Sequence, residues 1–343
     1  MQTGIERVKL MKIAGLIAAL AILPLPAHAA DCAFEDASRE AVERALTAWD
    51  RLDQSRIHAA VAVRPVIHVF DLRCQYALTP ASAGAFRVGD RAFDIEGHTH
   101  DGTIRFAGAD PFPVGRMSYA NNDENGGPPT FVISLPDVWA MDAADTRDPG
   151  QLFMAVFMHE FSHVQHMAGL NARFEALEAG GYSAFPLGDD VMQRTFAGDP
   201  DYVAAYRQEM DVLTAAATAQ DRDTTAAKLA EARALIAVRR AKWFSGPDRA
   251  GWASADDVFL TLEGAGQWAA YSWKTDPQGG GLSPEAALAA MRTRWWSQEE
   301  GMMLMLAIDR LLPEWPTLTF GPDGVTVDAL LDRALGAAAQ SGT

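Results

Sequence analysis

The run Phe157-Met158-His159-Glu160-Phe161-Ser162-His163 holds two histidines and a glutamate at a spacing that suits metal-assisted chemistry. Residues four apart on an α-helix share a face about 6 Å apart, so His159 and His163 can offer two imidazole nitrogens to one tetrahedral metal ion. Glu160 lies about 100° around the helix from His159, where its carboxylate can reach a metal-held water without being a ligand. That is the placement a general base needs. His166 projects only about 20° from His159, but seven residues at 1.5 Å rise separate them by roughly 10 Å, too far to share one ion at about 2 Å. It reads as a residue behind the ligands or lining the cleft, and a surface position fits its spacing as well. A core helix holding two hydrogen-bonded histidines is the competing reading of the whole run.

The elements that must position these residues can be read on either side. Asp148-Pro149 has the form of an N-cap followed by proline at the first helical position, and Gly169 has the form of a stop. Leu152, Phe153, Val156 and Phe157 recur at helical spacing, which predicts a helix buried beside the core. Thr130 to Leu135 predicts a short strand ended by Pro136, and Val66 to Leu72 a second strand in which His68 is packed. Residues 95–104 predict a turn between strands. His98 and His100 share one side of that extended chain, which fits a polar hairpin better than a second metal site. Pro- and Gly-rich stretches at 111–115 and 121–129 predict loops.

The rest of the chain reads as mostly helical. An amphipathic helix is predicted from Glu35 to about His58, and two or three helices packed as a hairpin from Asp189 to about Phe244. Glu209, Arg239 and Arg240 in that region fit solvated helix faces better than a buried ion network. Asp256 or Asp257 is read as the cap of a helix through Tyr271, Ser283-Pro284-Glu285 as the start of the next, and Ser297 with Glu300 as a capping box. The stripe Met302, Met303 and Met305 reads as core filling. A hairpin is predicted around Gly321-Pro322-Asp323-Gly324, and a short helix closes the chain.

Composition sets the compartment. Arg7, Lys9 and Lys12 precede an apolar run from Ile13 to Leu25 and the small-residue pattern Ala27-His28-Ala29, which predicts a secretory signal peptide over residues 1–30. No later run is long and apolar enough to predict a membrane anchor. The formal charge is −16, and removing residues 1–30, with three Lys/Arg and one Glu, leaves −18. Such an acidic chain argues against nucleic acid and anionic membranes as partners. Cys32 and Cys74 are the only cysteines, and in an exported protein the pair predicts one disulfide.

His159-Glu160-Phe161-Ser162-His163, followed a long stretch later by Glu263-Gly264-Ala265-Gly266-Gln267-Trp268-Ala269-Ala270, resembles the gluzincin branch of zinc metallopeptidases. The resemblance covers these two segments and their order. It implies that His159, His163 and Glu263 hold one zinc ion and that Glu160 is the catalytic general base in hydrolysis of a peptide or protein substrate. It also implies a sheet edge strand ahead of the metal helix, the place here held by Phe131 to Leu135. Two histidines leave a catalytic zinc short of its usual three protein ligands, and Glu263 stands in an otherwise apolar stretch where an unpaired charge is costly. Gly264 and Gly266 would let its helix approach the metal helix, and Gln267 would hydrogen-bond a ligand. Pairing of Glu263 with an arginine such as Arg239 is the alternative. The long helical insertion between the ligands departs from the family pattern, and Tyr271 and His166 are only weak candidates for stabilising an oxyanion.

The expected architecture is α+β: a zincin-like catalytic domain with a small mixed sheet and an active-site helix over 31–170, then a mainly helical lobe over 171–343 that supplies the third ligand. Two other classes use the same residues. One is a catalytically inactive zincin-like periplasmic protein that binds metal or peptide. The other is a periplasmic interaction protein built from the helical part. The sequence gives no reading of oligomeric state.

Overall fold

The amphipathic stretch after Cys32 forms α1 (Asp36–Leu52) in a computed structural model that describes residues 32–341 other than 60–62, 107–108, 122–126, 143–144, 146, 180–187 and 189. The signal-peptide reading of residues 1–30 therefore lies outside the described residues. Spacing of three and four puts Val42, Ala45, Leu46 and Trp49 on the buried face of α1. A single π-helical turn (Asp53–Ile57) ends it.

Strands then follow as β1 (Val66–Phe70), β2 (Cys74–Pro80), β3 (Phe86–Val88), β4 (Arg91–Thr99), β5 (Thr103–Ile104), β6 (Phe112–Pro113), β7 (Ser118–Asn121) and β8 (Thr130–Ser134). Six form one mixed sheet in the order β3-β4-β2-β1-β8-β7, and β5 and β6 form a small second sheet. Among the described strands β1 and β8 alone run parallel, with His68 opposite Val132. Alternation along β1 sends Ile67 and Val69 into the main core and Phe70 to the other face, where it meets Ile104, Phe106 and Val132. His68 is buried on that second face and stacks on Phe106 at 4.2 Å. It is a packed strand histidine, as predicted.

The chain turns helical after β8, through α2 (Pro136–Trp139) into α3 (Pro149–Ala179), α4 (Val191–Phe196), α5 (Pro200–Thr218), α6 (Arg222–Trp243), α7 (Trp252–Thr275), α8 (Pro284–Ala290), α9 (Trp296–Leu311), α10 (Trp315–Thr319) and α11 (Val327–Ser341). The cap signals are used where they were read at α3, where Asp148 Oδ1 accepts from Gln151 N at 2.7 Å, and at α8, where Ser283 Oγ accepts from Ala286 N at 3.2 Å. Met302, Met303 and Met305 are buried in α9. Residues 31–343 form one compact unit of α+β type, and among the described residues no helix is long and apolar enough to cross a membrane. Cys32 and Cys74 are joined as a disulfide that ties the lead into α1 to the start of β2.

Several local readings are corrected by long-range packing. Gly169 does not stop α3; a Cβ there would stand 2.6 Å from Gly321 O, so the glycine admits the 321–324 turn against a continuing helix. That turn joins α10 to α11 and is no hairpin. The strand at Thr130–Ser134 lies inside the sheet, and the edge beyond it is β7. The strands flanking residues 100–102 do not pair with each other: β4 pairs with β2 and β3, β5 with β6. His98 is exposed beside Glu96, His100 Nε2 meets Asp71 O at 3.0 Å, and among the described residues neither belongs to a group that could hold a metal ion.

The helical caps shift too. Gly251 precedes α7, while Asp257 and Thr261 within it accept from Asp328 N and Val327 N and so cap α11. The helix α9 begins two residues earlier than a capping box at Ser297 requires, with Trp295 as its N-cap. Glu300 instead turns inward to Arg239, whose NH2 donates to it at 2.6 Å. Glu209, Arg239 and Arg240 belong to an ion network with Asp256 and Glu300, drawn from four helices, α5, α6, α7 and α9, that pack around it.

Candidate metal centre

Helix α3 turns three faces to three different surroundings. Phe153, Phe157 and Phe161 point at the sheet, where Phe131 of β8 meets Phe157 and Phe161 edge-on at 5.1 and 5.5 Å. This aromatic row fixes the rotation of the helix, since turning it would expose the row and cost about 2 kcal/mol per ring. With that face fixed, His159 and His163 must look away from the sheet, toward α7.

Glu263 of α7 completes the arrangement. His159 Nε2 and His163 Nε2 lie 3.0 Å apart, and Glu263 Oε2 and Oε1 lie 3.2 and 3.4 Å from them respectively. All three side chains are buried, and they form a group of His and carboxylate donors that could hold a metal ion. A tetrahedron with arms of 2.0–2.1 Å has edges of about 3.3 Å, and the separation of each histidine from the nearer carboxylate oxygen is close to that. The donor set fits as well, two imidazoles and one carboxylate with no thiolate. Burial opposes the charge on Glu263, but His163 and His159 outweigh it and hold its carboxyl well below the usual carboxylate range. His163 Nδ1 is buried without a hydrogen-bond partner, leaving Nε2 as the atom that the site engages.

Close approach of the helices depends on Gly266, where a Cβ would stand 2.8 Å from Nδ1 and Cε1 of the His159 ring. The companion expectation for Gly264 is corrected: it faces α9, where a Cβ would stand 2.5 Å from Gly301 O. Gln267 likewise points away from the ligands and donates to Gln298 Oε1 at 3.0 Å. The alternative partner for Glu263 is removed, since Arg239 is engaged with Glu209, Glu300 and Asp256.

Glu160 sits between the ligand face and the sheet face of α3, half-buried, and its Oε1 accepts from Ser118 Oγ of β7 at 3.0 Å. Ser118 was missed in the sequence because β7 is four residues long and follows a Pro/Gly-rich stretch. Its only sequence signal is alternation too short to read. His166 is neither exposed nor cleft-lining. It is fully buried against Phe320 at 3.8 Å, and burial first, then nearby His163, push its pKa well down. Tyr271 lines a cavity of about 580 Å³ between α1 and α7, with Arg51 and Trp273. It shares that cavity with Met158, which lies on a different face of α3 from His159 and His163.

Compared with models of known families, with curated proteins and with solved structures, the chain matches none.

Proposed function

We propose that the chain is an exported zinc-dependent peptidase of zincin-like fold, in which His159, His163 and Glu263 hold the metal and Glu160 is the general base. The observation that carries this reading is the convergence of three buried side chains from two helices, whose donor atoms all lie within 4.8 Å of one another, beside a carboxylate on the same helix as two of them. A zinc ion bound there supplies Lewis acidity and lowers the pKa of its water to about 7. Glu160, half-buried and tethered, takes a proton at its carboxylate and returns it to the leaving amine. The substrate is a peptide or protein segment in extended form. It adds to the outer edge of β7 by main-chain hydrogen bonds, and Ser118 on that strand already touches Glu160. The leader-like residues 1–30 and the Cys32–Cys74 disulfide support an oxidising compartment outside the cytosol.

The test is metal content and turnover on the mature protein. Wild type and Glu160→Gln are each expected to hold one zinc per chain, with release of new amino termini from a mixed-sequence peptide pool by wild type alone. Failure to hold zinc at micromolar free metal would defeat the site. Zinc without hydrolysis would leave a metal-binding protein and defeat the peptidase.

A further inference from the structure

We propose that Ser118 is a positioning residue for Glu160, setting the place of the carboxylate that moves the proton; this rests on the peptidase reading above. Ser118 Oγ donates to Glu160 Oε1 at 3.0 Å across the gap between β7 and α3, and both residues are half-buried. A glutamate side chain otherwise samples several rotamers, worth up to about 2 kcal/mol of entropy, so a tether to one oxygen narrows where the other can point. A tether is useful only if its own anchor is rigid.

Ser118 meets that condition from both sides. Its backbone is in register with Ile133 of β8, and the preceding residue is clamped. Met117 N donates to Ser134 Oγ at 3.2 Å, Ser134 N donates to Met117 O at 2.9 Å, and Ser134 Oγ donates to the same carbonyl at 3.2 Å. Ser134 is fully buried, so this clamp is shielded from water. Alternation then gives Ser118 the side of β7 that faces α3, while Tyr119 turns to the opposite face and packs on Phe112.

A hydroxyl is also the group that both protonation states of the base can use. It donates to Glu160 as the carboxylate, and it can accept from the O–H when Glu160 carries the proton between abstraction and delivery. The tether therefore need not break as the proton is held and passed on. An alkyl group at residue 118 lacks both of these roles.

The experiment compares wild type, Ser118→Ala, Ser118→Thr and Glu160→Gln, each zinc-loaded as full-length mature protein, on the same mixed-sequence peptide pool. Zinc stoichiometry and thermal unfolding are measured alongside. Ser118→Ala is expected to lower kcat roughly 10- to 100-fold with KM within about twofold and zinc content unchanged, and Ser118→Thr to recover most of that loss. Ser118→Ala with kcat within twofold of wild type, while Glu160→Gln is inactive, overturns the role of Ser118 and leaves the peptidase reading intact. A loss confined to KM overturns it in favour of peptide binding at the strand edge. Loss of zinc or of cooperative unfolding in Ser118→Ala, with no recovery in Ser118→Thr, overturns it in favour of a structural role. A zinc-loaded wild type that cleaves nothing overturns both readings together.

Discussion

Gly266 of α7 lies against the ring of His159 of α3, so close that a methyl group on its Cα would stand 2.8 Å from Nδ1. The two helices meet at this point because one of them has no side chain there. Gly266→Ala should therefore force them apart by several tenths of an ångström and weaken metal binding about 10- to 100-fold without removing a ligand. Competition with a chelator measures it. Wild-type affinity in this variant would show that the contact does not set the ligand separation.

Glu263→Ala should weaken zinc binding by orders of magnitude, because only two protein ligands remain. The fitting control is Glu299→Ala, since Glu299 is half-exposed on α9 and touches neither histidine. Full zinc occupancy of Glu263→Ala at micromolar free metal would remove Glu263 from the ligand set. Glu300→Ala is unsuitable as a control, because Glu300 is buried against Arg239.

The buried network around Arg239 gives a stability prediction of its own. Arg239 donates to Glu209 through Nε and NH2 and to Glu300 through NH2, so Arg239→Ala strands buried carboxylates and should cost about 3–5 kcal/mol. Burial drives the Glu300 pKa well up against the pull of Arg239, and the charges of Glu209 and Asp256 add to the rise. Glu300→Gln keeps an acceptor for Arg239 and removes one of three crowded carboxylates, so it should change stability by no more than about 1 kcal/mol. Urea unfolding at pH 7 compares the two. Equal losses would mean that Arg239 depends on the carboxyl of Glu300 as much as the network depends on Arg239.

His68 gives a pH prediction. Burial lowers its pKa from 6.5 to about 4, so between those values the unfolded chain binds a proton that the folded chain does not. Stability should fall as the pH drops from about 6.5 toward 4 and stop falling on this account below that. The loss is on the order of 3 kcal/mol. Subtracting the chelator-treated His68→Phe curve from wild type isolates it. Parallel curves would sink the assignment.

Reduction of Cys32–Cys74 should destabilise the fold by about 4 kcal/mol, the chain-entropy value for a sequence separation of 42. Urea midpoints with and without reductant report it, and an unchanged midpoint would show that the linkage constrains little.

Short-range regularity is what the sequence by itself determined. The four-residue spacing of His159 and His163, the caps at Asp148 and Ser283, the amphipathic face of α1 and the pairing of two lone cysteines all depend on neighbours in the chain or on there being no other choice. The identity of Glu263 as the residue beside them was legible because a carboxylate in an apolar helix needs a partner. What only the tertiary structure decided is register between elements. That Gly266 rather than Gly264 meets α3, that β7 rather than β8 forms the sheet edge, that Ser118 reaches Glu160, and that Glu209, Arg239 and Glu300 turn inward are outcomes of fitting side-chain volumes from distant segments. Periodicity states which face of an element is buried; it carries no information about which residue of another element the buried face will meet.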